Sequence, residues 1–334
     1  MIYLSERART LQAQLDTVIF DMDGVLVNIT NSVRPTLLLA VPAYLREIVG
    51  WAAPEKLFTS EIVEMFKNSG GFNDDVDLAC AIVLNYLVKS RENGEADAET
   101  LNLLPPSLTR FATRLQQKGG GLKNAEDICL EHYDWRDRDV IVRDYNKPKI
   151  RQVFREIFGG QHCKELYGFE PEYYKGTGYI DNDTNLLDLT KIPTKQRIGL
   201  LTGRTATETT VGLSMCGLDE VIPAEMRVTQ DDGYPKPNPT GLAILASKLN
   251  CQTAGIYIGD TRDDYRTVRN LNAKETLPPF LSALVLTGPA GKNNRGFFKK
   301  TGTDIVAENV NEVLDWINEP STTTIEPLET LKSV

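Results

Sequence analysis

The sequence predicts an α/β protein, a doubly wound and mostly parallel Rossmann-like sheet carrying an inserted, mostly α-helical cap domain. Three short runs rich in β-branched and aliphatic residues end in polar turn chemistry, as buried parallel strands do. Helical patterns separate the later runs. The interval between the first and second run is far too long for one crossover connection, so it must fold as a unit of its own.

The first run, 17–20, feeds Asp21-Met22-Asp23-Gly24. The second, 197–201, feeds Thr202-Gly203-Arg204, and the third, 254–258, feeds Gly259-Asp260-Thr261. A further apolar run covers 283–286, and helical patterns cover 205–216, 239–249 and 263–271. Within the insertion, apolar residues recur at helical spacing over 33–49, 60–67, 76–89, 108–117 and 150–158. Its polar, glycine-bearing stretches at 90–99 and 118–123 are expected to be its loosest part. The expected division is a core of 1–28 and 194–319, a cap of 29–193, and a disordered tail of 320–334 rich in Thr, Ser and Glu.

Composition narrows the function. With 334 residues, 41% of them apolar and 25% charged, the chain can bury a core without disulfides or structural metal. A net charge of −9 repels phosphate backbones and anionic lipid heads, so neither nucleic acid nor membrane is an expected partner. The five cysteines are widely spaced and form no CxxC pair, which suits reduced thiols in the cytoplasm. No apolar run approaches the roughly 18 residues of a membrane span, and the first fourteen residues lack the apolar stretch of a signal peptide.

Ligands of open parallel sheets bind at the carboxyl ends of the strands, and each main run delivers reactive side chains there. Asp21 and Asp23 follow the first, Thr202 the second, and Asp260, Asp263 and Asp264 the third. Lys236 lies in Lys236-Pro237-Asn238-Pro239, before the helix leading to the third run. Carboxylates alone would repel a phosphate monoester, and a divalent cation resolves the conflict. Mg2+ suits such an all-oxygen site, with Asp21 and Asp260 as ligands and Asp264 orienting a bound water or Lys236. Whether Asp263 or Asp264 supports the metal stays open. Asp21 is placed to attack phosphorus, and Asp23 to protonate the leaving oxygen and then take a proton from water. Thr202, with Met22, Gly24 and Gly203 beside it, is expected to bind the transferring oxygens. Lys236 offsets their charge. Arg204 and Arg262 are expected either at the surface or in contact with substrate.

These segments resemble the four ordered motifs of the haloacid dehalogenase-like hydrolases: Asp21-Met22-Asp23-Gly24-Val25-Leu26, Leu200-Leu201-Thr202-Gly203-Arg204, Lys236-Pro237-Asn238-Pro239 and Ile258-Gly259-Asp260-Thr261-Arg262-Asp263-Asp264. One DxDG is a weak signal; four motifs in order are a strong one. The resemblance covers 16–28 and 195–316. It implies Mg2+, an aspartyl-phosphate on Asp21, and the Asp23 main-chain carbonyl as a further metal ligand. The insertion is similar to a phosphatase-like subgroup of subfamily I with a helical, C1-type cap, around Gly70-Gly71-Phe72-Asn73-Asp74-Asp75. There Asn73 and Asp74 are expected to read the substrate, and Phe72 to offer it an apolar face.

The leading expectation is a Mg2+-dependent phosphatase for a small soluble phosphorylated metabolite, acting as a monomer or homodimer. A sugar-phosphate phosphomutase shares every core motif. A non-catalytic binding protein of the same fold predicts a damaged motif, and none is damaged. A dehalogenase is disfavoured, because Asp23 and the metal set belong with phosphoryl chemistry. Plainer roles exist for single residues: Asp-Gly as turn chemistry, Thr202 as a helix cap, Asp263 and Asp264 as charges at a helix start, and 73–75 as a cap for the next helix. His132 and His162, both in the insertion, are expected to be structural or exposed.

Overall fold

The structure, a computed structural model, describes residues 2–72, 74–288, 294–318 and the backbone of 326–327. The chain forms two compact units, Met1–Ile29 with Asp183–Val334, and Thr30–Asn182.

In the first unit the strand Leu15–Phe20 lies parallel to Arg197–Leu201 on one side and to Ala254–Gly259 on the other. Arg227–Val228 continues the sheet beyond the first neighbour, and Phe280–Val285, Ile305–Ala307, Tyr3–Leu4 and Glu326–Pro327 continue it beyond the second. Within this sheet, the only antiparallel pairing among the described residues is that of Tyr3–Leu4 with Ile305–Ala307. Every residue of Ala254–Gly259 and Phe280–Val285 is buried, which is why these strands read as continuous apolar runs. The order reverses at Leu15–Phe20, so its carboxyl end opens at a topological switch point. Helices Ala206–Cys216, Thr240–Lys248 and Arg262–Asn272 occupy the predicted intervals. Leu242 and Leu245 of the second, with Leu249 just past its end, pack with Ile19, Leu201 and Tyr257 of the sheet.

Two features differ from expectation. The core resumes at Asp183 rather than 194, because Thr184–Asn185 pairs with Val27–Asn28 and Leu186 N–H donates to Leu26 C=O at 2.9 Å. Within 320–334, Glu326–Pro327 pairs with Tyr3–Leu4; the rest of that stretch lies outside the described residues.

The second unit contains helices at Val33–Glu47, Ser60–Ser69, Asp75–Asn93, Leu108–Gln117 and Lys147–Gly159, matching the five patterns. It also contains Ala98–Leu103, Gly121–Leu130, Trp135–Asp144 and Cys163–Tyr167. Asp75–Asn93 is the central helix, since every residue from Leu78 to Lys89 is buried. The stretches expected to be loose are not. The central helix runs on to Asn93 and ends at a left-handed Gly94. Near 120 the chain crosses another backbone in contact: a Cβ on Gly120 would sit 1.9 Å from Gly70 O, and one on Gly71 2.9 Å from Gly121 Cα. The glycines serve close approach rather than slack. No helix among the described residues is long and apolar enough to cross a membrane, and all five cysteines are buried and unbridged.

Candidate active site

Asp21 is the first residue past the central strand, held by its own N–H donating to Ile258 C=O at 2.8 Å. Its Oδ1 accepts from Met22 N–H at 2.8 Å and its Oδ2 from Lys236 Nζ at 2.7 Å. Lys236 also donates to Asp264 Oδ1 at 2.7 Å and to the Tyr257 hydroxyl at 3.3 Å. That hydroxyl lies 3.0 Å from Asp264 Oδ1 and 3.2 Å from Leu201 C=O. The other Asp264 oxygen accepts from Asp260 N–H at 3.1 Å, Thr261 N–H at 2.9 Å and Thr261 Oγ1 at 2.6 Å. Asp264 therefore does two jobs: it completes a capping box at the start of Arg262–Asn272 and it aims Lys236 at Asp21. A Cβ at position 259 would lie 2.4 Å from Asp264 Cβ, so this turn needs Gly259.

Asp260 is different. It is buried, and no donor among the described residues reaches its carboxylate. Two glycines make room for it: a Cβ on Gly24 would sit 2.6 Å from Asp260 Oδ2, and one on Gly288 1.7 Å away. Thr287 Oγ1 closes that corner by donating to Gly24 C=O at 2.5 Å. Oxygens of Asp21, Asp260 and Asp264, all buried, lie within 4.8 Å of one another. Three buried carboxylates against one ammonium leave an excess of negative charge, which is the donor set a hard divalent cation takes.

The electrostatics follow from that imbalance. Burial, partly offset by Lys236, pushes the Asp21 carboxyl up to about 7. Burial, reinforced by Asp264 and Asp21, raises Asp260 well above the ordinary carboxylate range. Asp264 is held low: burial acts against it, but Lys236 and the Thr261 donors prevail. Lys236 is likewise held well above its usual value, since Asp21 and Asp264 outweigh the cost of its burial.

A family model described as haloacid dehalogenase-like hydrolase matches residues 15–272. The chain belongs to the haloacid dehalogenase-like hydrolases. Among solved structures, a phosphatase from Thermococcus thioreducens is similar over 90% of this chain and 99% of its own, with 20% identity and a TM-score of 0.55. A structural-genomics target solved by X-ray is similar over 92% of this chain and 99% of its own, with 16% identity and a TM-score of 0.58. At such identities the likeness shows the fold. No curated protein matches the chain.

The remaining predicted residues fall into place around this hydrolase core unevenly. Thr202 is buried, its N–H donating to Val228 C=O at 3.0 Å and its Oγ1 accepting from Arg204 N–H at 3.2 Å. It does not cap the following helix; Thr205 does, in a capping box with Glu208. Gly203 is exposed. The N–H of Met22 is spent on Asp21, and that of Gly24 donates to Val27 C=O at 2.8 Å, so neither is left for phosphate in this arrangement. Arg204 is not at the surface. Its side chain is 4% exposed, with Nε donating to Asp23 Oδ1 at 2.7 Å and Nη2 to Asp183 Oδ2 at 2.6 Å. Arg262 stacks over the Phe297 ring, 3.6 Å from its centroid, and Asp263 pairs with Arg266 at 3.1 Å and is not part of the Asp21, Asp260 and Asp264 carboxylate group.

In the cap, Asn73 lies outside the described residues. Asp74 caps the central helix, Oδ1 accepting from Val76 N–H at 2.9 Å, while Oδ2 pairs with Arg151 Nη1 at 3.0 Å. Phe72, expected to offer an apolar face, is instead buried with its ring edge-on to Phe66. His162 pairs with Asp181 at 3.0 Å and His132 is exposed.

Sequence reasoning missed Tyr257, Asp183 and Gly288. Tyr257 carried a usable signal, because a tyrosine inside a fully buried strand must find a partner for its hydroxyl. Asp183 and Gly288 carried none, since each acquires its role only when distant segments meet.

Proposed function

We propose that this chain hydrolyses a phosphate monoester of a small soluble metabolite, with Asp21 as the nucleophile. The observation that supports it best is the Lys236 ammonium between Asp21 and Asp264, beside an Asp260 carboxylate that has no counter-charge of its own. Asp21 attacks phosphorus, the bond to the leaving oxygen breaks, and Asp23 gives that oxygen a proton. Water then attacks the phosphorus, giving its proton to Asp23, and the bond between phosphorus and the Asp21 oxygen breaks to release phosphate and restore the carboxylate. Arg204 grips Asp23 by one oxygen, Oδ1, and leaves the other for this proton traffic. Thr202 and the exposed Gly203 turn bind phosphoryl oxygens, and Lys236 offsets their charge while keeping Asp21 aimed. Mg2+, held by Asp21, Asp260 and the Asp23 carbonyl with Asp264 behind them, would neutralise phosphoryl charge beside the carboxylates. Substrate choice is assigned to the cap, with Asn73 and Asp74 as the residues that read the molecule.

The test is turnover of a generic aryl phosphate and of a panel of phosphorylated metabolites, with Mg2+ and after exhaustive chelation. Hydrolysis that needs Mg2+ is the expected result, with Ca2+ substituting poorly because it prefers more ligands at longer distances. Full activity after chelation, or no hydrolysis of any monoester, would overturn the reading.

A further inference from the structure

The cap unit contains a half-open cavity of about 470 Å³ walled by Pro105, Phe111 and Ile128 and reached by Asn85, Lys89 and Arg110. Its size falls within the range of small-molecule sites, and its polar groups are the unusual part. Lys89 is the last residue of the buried run on the central helix and is only 1% exposed. No acceptor among the described residues lies within hydrogen-bond distance of its ammonium, and burial lowers its pKa. Asn85 lies one turn earlier on the same helix face. It is 4% exposed, and its Oδ1 is buried without a partner.

The other charges at the cavity do not answer Lys89. Arg114 and His132 are both engaged by Glu131. Glu92 accepts from the Tyr133 hydroxyl at 2.8 Å, and its charge is felt at Lys89 without a bond. Arg110 stands exposed at the cavity with no side-chain partner among the described residues. The inventory is two cations with no anionic partner among the described residues, one of them, Lys89, 6.0 Å from the Tyr86 ring centroid, together with one uncommitted acceptor and apolar walls. Leaving a buried carbonyl without a donor, and a largely buried lysine side chain without an anion, costs free energy that a matching ligand would recover.

We propose that this cavity, lined by residues other than the catalytic ones, is a binding site for a small organic carboxylate with an apolar body and one hydroxyl. The carboxylate meets Lys89 and Arg110, the hydroxyl donates to Asn85 Oδ1, and the body lies against Pro105, Phe111 and Ile128. A bare inorganic anion fits less well, since it would lose its hydration to apolar walls and leave Asn85 unanswered.

The probe is 4-hydroxybenzoate, titrated calorimetrically into the full chain, with neutral 4-hydroxybenzamide and inorganic phosphate as comparators. Saturable binding of 4-hydroxybenzoate is expected, weakened at least about tenfold by Lys89→Met with melting temperature and circular dichroism preserved. If Lys89→Met fails to fold, the exposed Arg110→Ala decides: several-fold weaker binding supports the site, and unchanged binding overturns it. The proposal also fails if 4-hydroxybenzamide binds as tightly or if 4-hydroxybenzoate shows no saturation by about 10 mM. It fails equally if only phosphate binding depends on Lys89.

Discussion

In the core unit, buried charges answer one another: Lys236 stands between Asp21 and Asp264, and Arg204 between Asp23 and Asp183. In the cap unit, charge mostly serves the backbone or half-faces solvent. Glu156 is fully buried and accepts from the N–H groups of Tyr173 and Tyr174, Asp74 caps a helix, and Arg151 pairs with Asp74 while 35% exposed. The difference teaches how to weigh a charged residue. At the carboxyl end of a buried parallel strand a carboxylate has few structural reasons to be there, and chemistry is the economical explanation. At a helix start the same side chain satisfies orphan N–H groups and needs no other reason.

The sharpest way to break this contrast is at Asp21. Asp21→Asn keeps the shape and removes the nucleophile, so kcat should fall by about a thousandfold or more, near 4 kcal/mol of barrier, with the fold intact. Residual turnover above about a tenth of wild type, under about 1.4 kcal/mol, would put Asp21 among the structural carboxylates.

The next comparison sets one ion pair against another. Arg204→Met removes the cation that faces Asp183, whose side chain is fully buried, and should cost about 3–5 kcal/mol in urea unfolding. Arg151→Met breaks a pair with solvent on both sides and should cost about 1 kcal/mol or less. Restoring part of the core loss by adding Asp183→Asn would tie the penalty to the buried charge that Arg204 balances. Equal costs in the two units would erase the distinction drawn between them.

A third measurement reads the charge imbalance itself. Asp21 and Asp260 have raised folded-state values, so they favour folding when protonated. That contribution is complete below the ordinary carboxylate value of about 3.9 and fades as pH rises towards and past Asp21's value of about 7. Mg2+ needs the carboxylates ionised, so its stabilisation should run the other way. At about a hundred times its dissociation constant at pH 8 it should add about 2.7 kcal/mol, and at pH 5 the same concentration should add a few tenths. Equal shifts in melting temperature at the two pH values would separate metal binding from these carboxylates.

Much of the core was legible because fully buried parallel strands write themselves as unbroken apolar runs. Asp21, Thr202 and Asp260 could be found as the first polar residues after such runs. Tyr3–Leu4 and Arg227–Val228 were not legible, since two residues carry no period. Arg204 read as surface or substrate contact because its partner Asp183 lies in a segment with no strand pattern. In the cap, the central helix and its start were found but its C-terminal end, at Asn93 rather than 89, was not, and Trp135–Asp144 escaped because a charged decapeptide shows no apolar face. The glycines at 119–121 read as slack because their backbone crossing with 70–71 is a tertiary event that composition does not record.

The smallest expected effect is also the one that most directly tests the rule about helix starts. Asp74 satisfies the cap of the central helix and pairs with Arg151, so a structural role accounts for both oxygens. If it also reads the substrate, through charge presented to an amine or a hydroxyl, its contribution should separate from the capping role. Asp74→Asn preserves the cap, because asparagine caps as well as aspartate, and removes only the charge. Asp74→Ala removes both, and should cost about 1 kcal/mol in stability as well. For a recognition role, both variants should lower kcat/KM on the physiological substrate about tenfold, near 1.4 kcal/mol, while hydrolysis of a small aryl phosphate changes much less. Asn73→Ala should behave like Asp74→Asn. Parallel losses on the two substrates, scaling with the fall in melting temperature, would instead mark a folding defect. No loss with Asp74→Asn on either substrate would leave Asp74 as a cap and nothing more, and substrate choice would have to be sought elsewhere in the chain.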